Sequence, residues 1–205
     1  MADESILIPM PRLLHLIPII HDTSDMGSVG EALARAELDP GMREAALRKR
    51  EAVARFWDRV ETRVRELPML DEDAGPLLVY QDGLPVCGRE EQIVAETAGK
   101  GSRNFSMLQS LIKSGATVMG TEDPELLMKE YELAREAAAG RNDPRRAAAF
   151  RRLLEMRDRY IAERINETLP PQRTGVLFLG ALHHAEPFLA SDIRVEQHVN
   201  LLTAA

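Results

Sequence analysis

Four short apolar runs constrain this chain most: residues 13–20 (LLHLIPII), 77–80 (LLVY), 116–119 (ATVM) and 176–179 (VLFL). Each is too short for a buried helix, and none alternates apolar with polar residues. Such runs mark strands buried on both faces, as parallel strands covered by helices are. The intervals between them carry helical spacing. Ala46, Val53, Phe56, Trp57, Val60, Val64 and Leu67 recur at steps of three, four or seven, which places them on one face of a helix over 42–67. Shorter helices over 89–97 and 104–114 follow the second run, with Gly115 placed as a helix stop. Asp123-Pro124 and Asp143-Pro144 repeat a cap followed by proline at the first helical position and open helices over 124–139 and 143–168, with Gly140 between them. Ile193, Val195 and Val199 alternate with polar residues, as on a half-exposed edge strand. The expectation is a single α/β domain over 1–205. It has a mostly parallel central sheet of four to five strands flanked by helices, and a long helical hairpin inserted at 124–169.

Charge narrows the functional classes. Asp and Glu number 33 against 26 Lys and Arg, a formal balance of −7. Phosphate attraction needs basic surface, so no nucleic-acid partner and no anionic membrane is expected. No apolar run approaches the ~20 residues of a membrane span, and the start MADES lacks the basic segment of a secretory signal. A cytoplasmic location follows as the expectation. The single cysteine, Cys87, excludes an intrachain disulfide and any multi-cysteine zinc or iron–sulfur site; beside Gly88 it reads as inert packing. The stretch GKGSRN at 99–104 lacks the spacing of a phosphate loop. The stretch 141–164 holds eight arginines and four acids in an acidic chain. It reads as a solvated helix face or as a contact in a homo-oligomer.

Every apolar run is followed at once by charged or imidazole-bearing residues: His21, Asp22 and Asp25; then Asp82; then Glu122 and Asp123; then His183 and His184. In an open parallel sheet the carboxyl ends of the strands share one edge, and ligands bind in the crevice there. Imidazoles and carboxylates gathered in one crevice can hold a divalent metal or run acid–base chemistry on a bound water. Asp123 has a competing role as a helix cap, and Asp82-Gly83 as a turn. Adjacent strand residues point to opposite faces, so one of the two histidines enters the crevice; His183 is favoured, with His184 in support. Arg157 falls on the apolar stripe of the last long helix, formed by Phe150, Leu153, Leu154, Ile161, Ile165 and Leu169. A guanidinium there needs an anion. Asp158, Glu122, a substrate oxygen or a developing oxyanion are the open choices, beside a structural salt bridge.

The segment from Arg157-Asp158 through Ile161-Ala162 to Ile165, followed by an apolar strand and Gly180-Ala181-Leu182-His183, resembles the C-terminal half of the TraB/Tiki superfamily and its erythromycin-esterase and ChaN-like relatives. Ile161 replaces the methionine of that pattern. The resemblance implies hydrolysis of a small-molecule or peptide substrate, either ester cleavage or metal-dependent peptide cleavage. His21 would match a histidine at the end of the first strand, and Asp82 an acidic residue beyond a later one. On this reading Asp82 or Glu122 is the general base, Arg157 stabilises charge on the attacked oxygen, and His183 is catalytic. A divalent metal (Zn, Mn or Co) would be held by His21, His183 and Asp25. Two other classes stay open. One is a regulatory protein that binds a small anion or metal without turnover. The other is an oligomeric structural protein built on the arginine-rich hairpin.

Overall fold

The computed structural model describes residues 11–20, 43–67, 75–138 and 144–198. Strand β1 (Arg12–Ile19) is followed by helix α1 (Arg43–Glu66), β2 (Leu78–Pro85), α2 (Glu90–Gly99), α3 (Arg103–Lys113), β3 (Thr117–Glu122), α4 (Pro124–Ala138), α5 (Pro144–Thr168), β4 (Thr174–Gly180) and β5 (Ile193–Gln197). The strands form one sheet in the order β3-β2-β4-β1-β5, and every pairing is parallel. His21, Asp22, Asp25, Gly140, Asp143 and Val199 lie outside the described residues.

The apolar runs do not alternate because both faces of the sheet are covered. Ile17, Ile19, Val79, Val118, Val176 and Phe178 face Phe56, Trp57, Val60 and Val64 of α1 and Phe105, Leu108 and Leu111 of α3. Leu14, Leu16, Leu78, Tyr80, Leu177 and Leu179 face Ile161 and Ile165 of α5 and Leu169 just after it. Each such fully buried side chain contributes roughly 1.5–3 kcal/mol of transfer free energy. The connections from β1 to β2 and from β2 to β3 both run toward the β3 edge and place their helices on the first face. The return from β3 to β4 runs the other way and places α5 on the second. One uniform hand of crossover requires this change of face.

Local chemistry shapes the ends of the elements. Asp123 Oδ1 accepts from the Glu125 and Leu126 amides at 2.7 and 3.1 Å, the capping role expected of it. Ser102 caps α3 by accepting from Phe105 N, so the 99–104 stretch serves as a joint between two helices. The apolar stripe of α5 divides. Its C-terminal half packs on the sheet, whereas Phe150 and Leu154 line a cavity facing α4. Cys87 is exposed, which corrects its reading as packing. It sits in the turn after β2, where its amide donates to Glu90 Oε1 at 2.8 Å.

Candidate active site

The crevice opens where neighbouring strands leave the sheet toward opposite faces: β1 and β2 lead to the first, β4 to the second. This is the place where an open parallel sheet leaves room for a ligand. A cavity of about 550 Å³ lies there, lined by Ile19 and Ile20 at the end of β1, Asp82 and Gly83 of β2, and residues 180–183 at the end of β4. The hairpin α4–α5 closes it with Leu127, Glu130, Tyr131, Ala134, Phe150, Leu154 and Arg157. The volume is that of a small-molecule site.

Asp82 reaches this floor because β2 is irregular. Gln81 pairs with Gly120 and Pro85 with Glu122, so three residues of β2 bulge opposite one of β3. Gly83 holds φ +77 in the bulge, a left-handed conformation that glycine adopts without penalty. Gly120 makes room for it: a Cβ there would stand 2.6 Å from the Pro85 carbonyl oxygen. Bulges of this kind re-aim side chains beside active sites.

Arg157 joins the carboxylates. Its Nη2 donates to Asp82 Oδ1 at 2.9 Å and to Glu122 Oε1 at 2.7 Å, Nε to Glu122 Oε2 at 3.1 Å, and Nη1 to Glu130 Oε1 at 2.6 Å. Four of the five guanidinium N–H groups are thereby engaged, leaving one on Nη1. Of the anions open to Arg157 from the sequence, Glu122 is a partner and Asp158 is not. Asp158 belongs to His183: His183 Nδ1 donates to Asp158 Oδ1 at 2.7 Å, and Asp158 Oδ2 accepts from the His184 amide at 3.0 Å. The His183 Nε2 lies 3.4 Å from Asp82 Oδ1, and Asp82 Oδ2 accepts from the Gly180 amide at 2.9 Å. Asp82, Glu122, Arg157 and His183 are thus brought into one network; His184 is exposed. Glu122 is fully buried beneath Arg157 and does not line the cavity. Glu130 and the role of Asp158 were missed from sequence. Asp158 directly follows the arginine of the stripe, and that adjacency was the available signal.

Burial and electrostatics set the protonation. Burial, aided by the Asp82 charge, pushes the Glu122 carboxyl up to about 7 against the opposing pull of Arg157. Burial lowers the His183 pKa, but the Asp158 bond and the Asp82 charge outweigh it and raise the imidazole above its ordinary 6.5. Burial also works against the Arg157 cation, and its bonds to Glu122 overcome that and hold it charged. Because Nδ1 is committed to Asp158, the neutral ring presents its Nε2 lone pair toward Asp82 and the cavity.

Two triads of ligating side chains come together among the described residues: Asp82, Glu122 and His183, and His15, Glu196 and His198. Neither fits a divalent ion in its present arrangement. In the first, the Arg157 guanidinium stands within 3 Å of both carboxylates and supplies the positive charge a metal would bring. In the second, Arg63 donates to His198 Nδ1 at 2.7 and 3.0 Å. His198 Nε2 therefore carries the proton and donates to His15 Nδ1 at 2.5 Å, so neither facing nitrogen is free for a metal. Burial first, then the neighbouring cationic groups, lowers the pKa of both histidines, and the pair serves as a neutral clasp between α1, β1 and the end of β5. Of the expected metal ligands His21, His183 and Asp25, only His183 is among the described residues.

Fold and site together define an α/β protein with a buried acid–arginine–histidine network at the carboxyl edge of a parallel sheet. No protein-family model matches the chain, and no curated protein or solved structure does either. Among the described residues no helix is long and apolar enough to cross a membrane.

Proposed function

We propose that this protein is a hydrolase of the TraB/Tiki and erythromycin-esterase-like type, acting on an ester or amide of a small molecule or peptide. The observation that carries the reading is the Asp158–His183–Asp82 relay on the cavity floor, with Nδ1 of His183 held by Asp158 and Nε2 3.4 Å from Asp82 Oδ1. In the reaction, His183 Nε2 takes a proton from water as the water oxygen bonds to the substrate carbonyl carbon. The bond to the leaving oxygen or nitrogen then breaks, and the same proton passes from His183 to the leaving group. Asp158 orients the ring and Asp82 steadies the imidazolium that forms. Arg157 holds Asp82, Glu122 and Glu130 in register, and its remaining N–H on Nη1 is available to the carbonyl oxygen. Glu122 acts through Arg157 as a positioning residue.

The test is an ester and peptide turnover screen of the purified chain with wild type, His183→Gln and Asp158→Asn, combined with elemental analysis and a chelator arm. Loss of a general base costs on the order of a hundredfold or more, so His183→Gln should abolish turnover. Full activity in that variant, or no turnover of any ester or amide, removes the hydrolase reading. Stoichiometric zinc, manganese or cobalt, with activity lost to chelator, would assign the water activation to a metal at His183, His21 and Asp25 instead. A second reading, binding without turnover, is favoured by the engagement of four of the five Arg157 N–H groups by protein carboxylates. It is the result if ligands bind and none is cleaved.

A further inference from the structure

The cavity has two unlike parts. Its wall is hydrocarbon: Leu127 and Tyr131 of α4, Phe150 and Leu154 of α5, with Ile20 and Leu182 at the strand ends. Its floor carries the carboxylates of Asp82 and Glu130 beside the Arg157 guanidinium and the His183 imidazole. Two more carboxylates, Glu122 and Asp158, lie buried behind that floor, bonded to Arg157 and to His183. Even with a proton on Glu122 and on His183, the carboxylate charge exceeds the cationic charge among these described residues. Low-dielectric walls focus such a field into the cavity instead of letting water screen it. The carboxylate with the most solvent access is Glu130. Its side chain is 32% accessible, its Oε1 is bound to Arg157, and it lines the cavity beside Tyr131.

We propose that the ligand of this site is an amphipathic amine, a hydrocarbon body bearing an ammonium group, with the body against the α4–α5 wall and the ammonium against Glu130. Apolar transfer anchors the body, and the surplus negative charge selects the head. This specifies the substrate class for the hydrolase reading and rests on the same cavity. An anionic ligand would meet this net negative charge, which argues against the small-anion alternative drawn from sequence.

The test is calorimetric titration of the full chain at neutral pH and low salt with octylammonium, octanol and octanoate as probes. Octylammonium should bind tightest, octanol more weakly and octanoate weakest. Shortening the ammonium probe to butyl should weaken binding about threefold to fourfold per methylene lost. Glu130→Gln, at a partly exposed position, should weaken octylammonium about fivefold and leave octanol unchanged. The inference is overturned if octanoate binds as well as octylammonium, if Glu130→Gln weakens both probes alike, or if none of the probes binds. Because every readout is binding, a failure here with ester turnover intact removes the amine preference and leaves the hydrolase reading standing.

Discussion

At position 158 a carboxylate that sequence offered as a partner for Arg157 turns away from it and fixes His183 instead. The consequence is measurable. Asp158→Asn removes the bond that does most to raise the His183 pKa, so the imidazole should titrate at lower pH than in the wild type. NMR titration of the His183 ring checks this, and an unchanged pKa would assign the shift to the Asp82 and Glu122 charges. Arg157 poses the converse problem. Its alanine variant leaves Asp82 and Glu122 buried without their cation, at a cost of about 3–5 kcal/mol. Denaturant unfolding of Arg157→Ala should show that loss, and wild-type stability would mean that the carboxylates recover their charge balance by taking up protons. The need for an anion at Arg157 was legible, since a guanidinium on an apolar stripe must be paired. The identity of that anion was not, because three of the four site carboxylates are remote from Arg157 in sequence.

Elements were legible wherever a local rule governs them. The proline and aspartate at the start of α4 reproduce an N-cap, and Asp123→Ala should lose about 1 kcal/mol in thermal or chemical unfolding. The runs at 77–80 and 116–119 revealed two strands but understated their length: β2 continues to Pro85 and β3 to Glu122. Beyond those runs the residues are Gln81, Asp82, Gly83, Thr121 and Glu122, which carry no strand pattern. They are held by neighbouring strands and by contacts such as Thr121 Oγ1 donating to the Gln81 carbonyl at 2.6 Å. The bulge they form depends on Gly120. Gly120→Ala would drive a methyl group into the Pro85 carbonyl and should cost roughly 1–3 kcal/mol. It should also shift Asp82, so that the His183 titration moves with it. A Gly120→Ala protein with wild-type stability and an unmoved His183 would show that the bulge is not what aims Asp82.

For the whole molecule, the raised Glu122 and His183 act on stability with one sign. A group whose folded pKa exceeds its unfolded value stabilises fully below the unfolded pKa and loses that contribution as pH rises through the folded one. For Glu122 this window runs from 4.5 to about 7. The clasp of His15 and His198 acts oppositely, because its lowered pKa values favour the folded state above the ordinary 6.5 and cost stability as pH falls below it. Glu122→Gln should therefore flatten the stability loss between pH 4.5 and 7 while leaving the clasp's acid-side loss in place. Denaturation midpoints across that range decide it, and an unchanged slope would refute the raised Glu122. The sequence alone determined that the strands are buried on both faces, that helices separate them, and that their carboxyl ends carry the polar chemistry. These follow from hydrophobic periodicity and capping, which act between near neighbours in the chain. Tertiary structure alone decided the order β3-β2-β4-β1-β5, the pairing of Arg157 with Asp82, Glu122 and Glu130, and the attachment of His183 to Asp158. Those contacts depend on which helix lies over which strand end and on a backbone bulge at Asp82, and neither leaves a periodic trace in the residues that make it.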